Sequence, residues 1–176
     1  MNKLISAMLI STLITTASYA EGFFDYVGFG AAMQTVDSPH FDNGAALIVN
    51  GGKNVYFDLG LEIEGALSVQ QLSGKTDGIE EDGVDFWSLG MYSTYIWKLG
   101  NLSIKPRVGL IYEHIDSKMN ISDGDNPVPG TEKDDLGISA GIGFAYQINE
   151  KYNIYTNYTR IEDDIDHLTF GAEFKF

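Results

Sequence analysis

The sequence contains no cysteine and only four prolines in 176 residues. The absence of cysteine excludes disulfides, and it excludes a lipid-anchored N-terminus, which needs a cysteine at the cleavage point. Beyond the first 20 residues, no stretch is apolar for long enough to cross a membrane as a helix, which takes about 20 apolar residues. If the chain lies in a membrane, it therefore has to cross it as strands.

Basic residues are also scarce, since 11 Lys and Arg stand against 25 Asp and Glu. A nucleic-acid-binding surface needs cations to neutralise phosphates, so we expect no nucleic acid among the partners of this chain. A chain of 176 residues can bury enough surface to fold without disulfides.

The N-terminus has the pattern of a cleaved secretory signal over residues 1–20. Lys3 gives the positive first part, residues 4–14 are the apolar part, and Ser18 and Ala20 flank Tyr19 as a small-x-small cleavage site. The run is too short for a membrane anchor. We expect a mature domain of residues 21–176. Because Lys3 is the only charge removed, that domain has 10 basic and 25 acidic residues and a net charge of −15.

Apolar and polar residues alternate along most of the mature chain, and this period of two is typical of strands with one apolar and one polar face. The clearest case is the C-terminus, where every second residue from Leu168 to Phe176 is apolar. No helical period is sustained. The pattern predicts an all-β fold with eight strands, at residues 23–34, 44–50, 55–69, 85–97, 102–115, 136–148, 152–160 and 167–176.

The connections between these segments alternate in length. Short turns rich in Gly and Asn are predicted at residues 51–54, 98–101 and 149–151, and longer polar loops at 36–43, 70–84, 116–135 and 161–166. A soluble β-sandwich would suit the composition but has no reason to alternate in this way. The alternation favours an antiparallel up-and-down transmembrane barrel with short periplasmic turns, longer extracellular loops and both termini in the periplasm.

Charged residues fall on the polar faces of three predicted strands. Acids and bases on different strands predict a charge network inside the barrel, formed by Asp58, Glu62, Glu64, Lys105, Arg107, Glu173 and Lys175. The interior of an eight-stranded barrel is just wide enough for side chains to fill, so these charges would have to pair. Two interpretations stay open, a polar plug that selects one barrel register and a narrow ion path, and we favour the plug.

Three stretches of the chain resemble the eight-stranded outer-membrane β-barrel family of OmpA-like, OmpX-like and opacity-type proteins. They are Phe24-Asp25-Tyr26-Val27-Gly28-Phe29-Gly30, Lys105-Pro106-Arg107-Val108-Gly109-Leu110 and the C-terminal strand. The family's terminal insertion signal has the pattern polar-x-Gly-x-x-aromatic-x-aromatic, and Thr169, Gly171, Phe174 and Phe176 fill its positions.

The resemblance implies insertion into the outer membrane of a Gram-negative bacterium by the barrel-assembly machinery. The expected neighbours are outer-membrane lipid and lipopolysaccharide, and the expected state is a monomer. Interfacial girdles would be formed by aromatic residues, among them Trp87, Trp97, Tyr95, Tyr112, Tyr146, Phe174 and Phe176. Fold alone says little about activity.

An enzymatic function would have to use the histidines His40, His114 and His167. The nearest candidate for a triad is His114 with Asp116 and Ser117, but Ser117 lies on the opposite parity of the strand, so the base would not reach both partners. We therefore expect no catalytic residue, no cofactor and no metal ligand within the barrel. A lipid-modifying enzyme is kept as an alternative function.

The predicted external loops are strongly acidic. Their net charges are −2, −3, −4 and −4 in chain order, which together account for −13 of the mature −15. Three readings stay open: a solvated repulsive surface, a site for divalent cations such as Ca²⁺ or Mg²⁺, and recognition of a basic ligand. The sequence predicts a non-enzymatic surface protein, with a structural, adhesive or protective role through these loops. A small porin-like channel is the alternative.

Overall fold

The computed structural model describes residues 22–36, 43–70, 72–76, 79–117, 121–123, 126–128, 131–161 and 165–176. Eight long antiparallel strands form the barrel wall. They are β1 (Tyr26–Val36), β2 (Gly44–Tyr56), β3 (Leu59–Gln70), β4 (Ile79–Tyr95), β5 (Leu102–Ser117), β6 (Thr131–Gln147), β7 (Tyr152–Ile161) and β8 (Ile165–Lys175). None of the described residues belongs to a helix long and apolar enough to cross a membrane.

The sheet closes on itself because β1 pairs with β8 from Tyr26↔Lys175 to Val36↔Ile165. Following paired residues once around the wall leads back to β1 ten residues further on, from Tyr26 to Val36, by way of Gly52, Glu62, Tyr92, Gly109, Ser139, Ile161 and Ile165. The barrel therefore has eight strands and a shear of ten, and its strands are tilted. The eight-stranded antiparallel barrel predicted from the alternation is confirmed.

The barrel is apolar outside and polar inside. On β3, Leu61 and Ile63 are exposed on the outer face, whereas Glu62 and Glu64 are buried in the interior. The same alternation holds on β7, where Ile154 is exposed while Asn153 and Asn157 are buried. A continuous apolar outer surface is stable only in contact with lipid or another apolar phase.

One predicted turn is wrong. The glycines at 51–52 lie inside β2, which continues to Tyr56, and the chain reverses at Phe57 and Asp58. These glycines permit close approach of aromatic rings rather than a reversal. A side chain at Gly51 would lie 3.2 Å from the ring of Phe24, and one at Gly52 would collide with the ring of Tyr26.

The other two turns at this end fall where the sequence predicts them. Leu99 pairs with Leu102 across Gly100 and Asn101, and Gly100 supplies the positive φ of 64°. At the β6–β7 turn, the Asn149 side chain accepts hydrogen bonds from two backbone N–H groups of the turn, both at 2.9 Å. We call this end, which also carries the described termini, the terminus end.

The strands continue further toward the opposite, loop end than the alternation indicates. Residues 70–84 were predicted to be a loop, but Leu72–Thr76 pairs with the first residues of β4. Within predicted loop 116–135, Ile121–Asp123 and Asn126–Val128 form a small hairpin. At the terminus end, segment 44–50, predicted to be short, continues to Tyr56 as part of a 13-residue strand. Outside the apolar part of the barrel surface, a strand does not need an apolar face. Its alternation of apolar and polar residues therefore disappears, while its backbone pairing continues.

Candidate functional site

The lumen contains a compact charged cluster, which we call the lumen network: Glu62, Glu64, Lys105, Arg107 and Glu173. The carboxylates Glu62 and Glu64 come from β3, the two cations from β5, and Glu173 from β8. Residues two apart on a strand share a face, so Glu62 with Glu64 and Lys105 with Arg107 both lie on the inward face of their strands. All five side chains are buried.

Arg107 is the centre of the network. Its Nη1 donates to Glu62 Oε1 at 2.8 Å and to Glu64 Oε2 at 2.7 Å, and its Nη2 donates to Glu64 Oε1 at 3.0 Å and to Thr159 Oγ1. The guanidinium also lies over the ring of Tyr92, with Cζ 4.4 Å from the ring centroid. The planar guanidinium of arginine suits this bidentate hydrogen bonding to a carboxylate.

Lys105 extends the network toward β8 and β1. Its Nζ donates to Glu62 Oε2 at 2.6 Å, to Glu173 Oε1 at 3.1 Å and to the hydroxyl of Tyr26 at 3.2 Å. Tyr26 in turn donates to Glu62 Oε2. The ammonium therefore uses all three of its protons, and Glu62 accepts from three donors.

Two residues predicted for this network lie outside it. Asp58 sits in the exposed β2–β3 turn, because β2 is longer than predicted and places the reversal there. Lys175 is half-buried near the terminus end, two residues below Glu173, and makes no ion pair within the described part of the chain.

Apart from Glu173 and Lys175 on β8, the wall formed by β1, β2, β7 and β8 contributes neutral polar side chains to the lumen. Buried atoms that make no hydrogen bond occur on Gln34, Asn50, Asn153, Tyr155, Asn157 and Thr169. Several of these side chains occupy the space left by inward glycines. A side chain at Gly28 would collide with Asn50, and one at Gly30 would lie 2.8 Å from the Tyr155 hydroxyl.

An apolar layer lies next to the network on the side of the loop end. It consists of Ala32, Ala46, Ile48, Ala66 and Phe86. His167 packs against Phe86 with a ring-centroid distance of 5.5 Å, and its Nε2 lies 3.0 Å from Gln34 Nε2. Glu62 and Tyr92 have no exposed surface at all. Side chains thus separate the charges from bulk water, which supports the plug interpretation over an open path.

The predicted girdle aromatics lie on the outer surface. Trp87 and Tyr112 are exposed toward the loop end, and Tyr95, Trp97, Tyr146 and Phe176 toward the terminus end. Phe174 is half-buried and contacts Tyr152 and Phe176 with centroid distances of 5.4 and 5.3 Å. That Phe174 and Phe176, with the inward-facing Thr169 and Gly171, form an insertion signal stays a prediction.

In the triad considered from the sequence, the side chains of Asp116 and Ser117 lie outside the described residues, whereas His114 is described. It stacks on Trp87 at the outer rim, and its Nδ1 lies 2.7 Å from Asp134 Oδ1, which also accepts from Tyr112 at 2.9 Å. Hydrogen bonds from His114 and then Tyr112 hold the pKa of the exposed Asp134 below its usual range. A second outer-rim pair joins Arg160 to Asp166 through two bonds, at 2.9 and 3.0 Å.

Most of the predicted loop acids cannot be placed. The side chains at 37, 42, 77, 80–82, 116, 123, 125, 132 and 162–164 lie outside the described residues, as do His40, Ser117 and the signal segment 1–20. Among the side chains that are described, no three His, Cys, Asp or Glu residues are grouped so as to hold a metal ion.

Sequence reasoning missed the neutral partners of the network. Tyr26, Tyr92 and Thr159 contact its charges, and each lies on the inward parity of its strand. Alternation could have placed them in the interior. It could not have shown which of them meet across the lumen, because that depends on the register of strands distant in sequence.

The family model described as "Outer membrane protein beta-barrel domain" matches residues 4–176. No curated protein matches the chain in sequence. Among solved structures, the fold is similar to Neisserial surface protein A (NspA), with a TM-score of 0.65 and 13% identity over 86% of this chain and 96% of that one.

The attachment invasion locus protein Ail of Yersinia pestis has a TM-score of 0.60 and 12% identity over 86% and 97% of the two chains. Ail is also known in complex with the heparin analogue sucrose octasulfate. The N-terminal barrel domain of Pseudomonas aeruginosa OprF has a TM-score of 0.58 and 13% identity over 87% and 98%. At such identities these likenesses show the fold alone.

Proposed function

Because the chain belongs to the outer membrane protein beta-barrel domain family, we propose that it is a non-enzymatic surface protein of the bacterial outer membrane that acts through its acidic external loops. The role would be structural, adhesive or protective. The observation that carries the proposal is the different state of the charges in the lumen and in the loops. The lumen charges are paired and buried, whereas the loop segments hold −13 of the net charge of the predicted mature chain.

The sealed interior supports a function at the surface rather than through the lumen. The charges that would line a path through the eight-stranded barrel bind one another, which leaves no open path for a solute. The proposal assigns no catalytic role, and His114, the base considered for a triad, lies on the outer rim against Asp134 and Trp87.

The chemistry of the loops favours a basic partner. Acidic side chains attract cationic peptides or basic protein surfaces and repel polyanions, and such attraction weakens as salt screens it. The ligand class would thus be opposite in charge to the heparin analogue bound to Ail. Divalent cations are the second candidate ligand, since carboxylate oxygens suit Ca²⁺ and Mg²⁺.

The test is binding of a fluorescent oligolysine peptide to the protein in lipid nanodiscs at several salt concentrations. We expect saturable binding that weakens as salt rises. The variant Asp163→Asn/Asp164→Asn, which removes two charges from the fourth loop, should weaken it several-fold. A matched control, Asp58→Asn/Glu150→Gln, removes two charges from exposed turns at the terminus end and should leave binding unchanged.

Two results would contradict this proposal. One is the absence of peptide binding at low salt, and the other is an equal loss of binding in both double variants. Calorimetric titration with Ca²⁺ and Mg²⁺ on the same samples separates the two ligand classes, because heat with divalent cations and none with peptide would assign the loops to metal.

A further inference from the structure

The lumen network has an excess of one negative charge. It contains three carboxylates, Glu62, Glu64 and Glu173, and two cations, Lys105 and Arg107. The exposed fraction of each of these residues is 5% or less. Lys175, the next inward residue of β8, is half-buried toward the terminus end and forms no ion pair with Glu173. A buried charge that is not balanced by an opposite charge is costly, so a balancing positive charge is expected close to the surplus carboxylate.

Glu173 is the carboxylate at which the surplus lies. Glu64 is held by both Nη atoms of Arg107, and Glu62 accepts from Lys105, Arg107 and Tyr26. Glu173 receives one bond from Lys105, an ammonium it shares with Glu62, at 3.1 Å. Among the described residues, its other oxygen accepts from the neutral Asn153 Nδ2 alone, also at 3.1 Å.

Two amide groups next to Glu173 have unused polar atoms. The side-chain oxygen of Asn153 makes no hydrogen bond, and neither polar atom of Asn50 makes one, although their residues are only 7% and 2% exposed. Gly28 lies between Asn50 on β2 and Glu173 on β8 and pairs with both. A side chain at Gly28 would collide with Asn50 Oδ1 and lie 3.2 Å from Glu173 Cγ, so these two side chains converge above the glycine.

The groups that converge there are the Glu173 carboxylate and the side-chain oxygen of Asn50, and Asn153 binds the same carboxylate through its Nδ2. Such hard oxygen donors suit hard cations. A single positive charge would balance the network, whereas a divalent ion would leave it with an excess of positive charge. We propose that a monovalent hard cation of the sodium type binds inside the barrel between Glu173 and Asn50, completing the charge balance of the lumen network. This site is independent of the proposed loop function.

The test is the equilibrium stability of the refolded barrel as a function of NaCl concentration, with choline chloride keeping the ionic strength constant. A cation bound only to the folded state raises the folded-to-unfolded ratio about tenfold for each tenfold rise in its concentration above its Kd. We expect this dependence for the wild-type protein. Choline is a bulky quaternary ammonium that does not bind oxygen ligands as a hard cation does, so it should not replace sodium.

Three variants locate the site. Glu173→Gln and Asn50→Leu should each abolish the sodium dependence. Asn157→Leu is the matched control, because Asn157 is equally buried and its amide atoms are equally unpartnered, but it lies against Gly143, away from Glu173. The Asn157→Leu variant should keep the wild-type dependence on sodium even if its stability changes.

The proposal is overturned if the wild-type stability does not respond to sodium, or if Glu173→Gln responds as the wild type does. A proton on Glu173 is the competing way to balance the charge. Infrared difference spectra between the wild type and Glu173→Gln at neutral pH decide this point, since a protonated-carboxyl band assigned to Glu173 would exclude a bound sodium ion there.

Discussion

Replacing Arg107 with leucine is expected to lower the free energy of unfolding of the refolded barrel by about 3–5 kcal/mol. The reason is the pair of buried carboxylates, Glu62 and Glu64, that would lose their main counter-charge. Arg107→Lys should recover only part of the loss, because an ammonium cannot reproduce the forked contact with Glu64. Urea titration of the refolded protein in micelles, followed by the shift of the heat-modifiable band, measures both changes.

The matched control for this prediction is Arg160→Leu. Arg160 also binds a carboxylate on the neighbouring strand through two hydrogen bonds, but it lies on the outer rim and is largely exposed. Exposed pairs of this kind contribute little to stability. The midpoint of unfolding should therefore barely move in Arg160→Leu. Equal shifts in the two variants would show that Arg107 is not buried among carboxylates.

Replacing Gly109 with alanine is expected to destabilise the barrel by about 3 kcal/mol, the upper part of the range for overpacked interiors. The inward methyl group would overlap the carbonyl oxygen of Met91 and lie 2.8 Å from the Cα of Tyr92. These are backbone atoms of the neighbouring strand, so no side-chain rotation relieves the clash. Refolding yield and urea midpoint are the measurements.

Gly65→Ala provides the matched control for Gly109→Ala. Gly65 also lies in the middle of a strand, but its nearest neighbour at the position of a new methyl group is the Ser88 carbonyl oxygen, at 4.0 Å. This substitution should leave stability nearly unchanged or raise it slightly. If both variants refold with the stability of the wild type, the close contact between β4 and β5 described here is incorrect.

The period of two in the sequence is sufficient to predict the strands and their inner faces. Glu62, Glu64, Lys105 and Arg107 lie inside the barrel as their parity predicts, because lipid outside and a polar lumen inside impose opposite requirements on alternate residues. The family to which the chain belongs agrees with this fold. These features depend only on local order along the chain.

The features that the sequence did not predict depend on distant strands. Gly51 and Gly52 have the composition of a turn, but the rings of Phe24 and Tyr26 on the adjoining chain segment occupy the space above them. Asp58 was placed in the lumen because the alternation of β3 was extended past its first residue, Leu59, into the preceding turn. The convergence of Asn50 with Glu173 requires the register of β1 with both β2 and β8, which no local pattern contains.

We infer that paired charges plug the lumen of the barrel. The most direct test is single-channel conductance of the refolded protein in a planar bilayer, once the heat-dependent band shift has shown that it is folded. We predict no conductance steps, because the lumen network and the apolar layer beside it block the interior. Stable, reproducible conductance steps that change when Arg107 is replaced would contradict the plug and make the lumen an ion path.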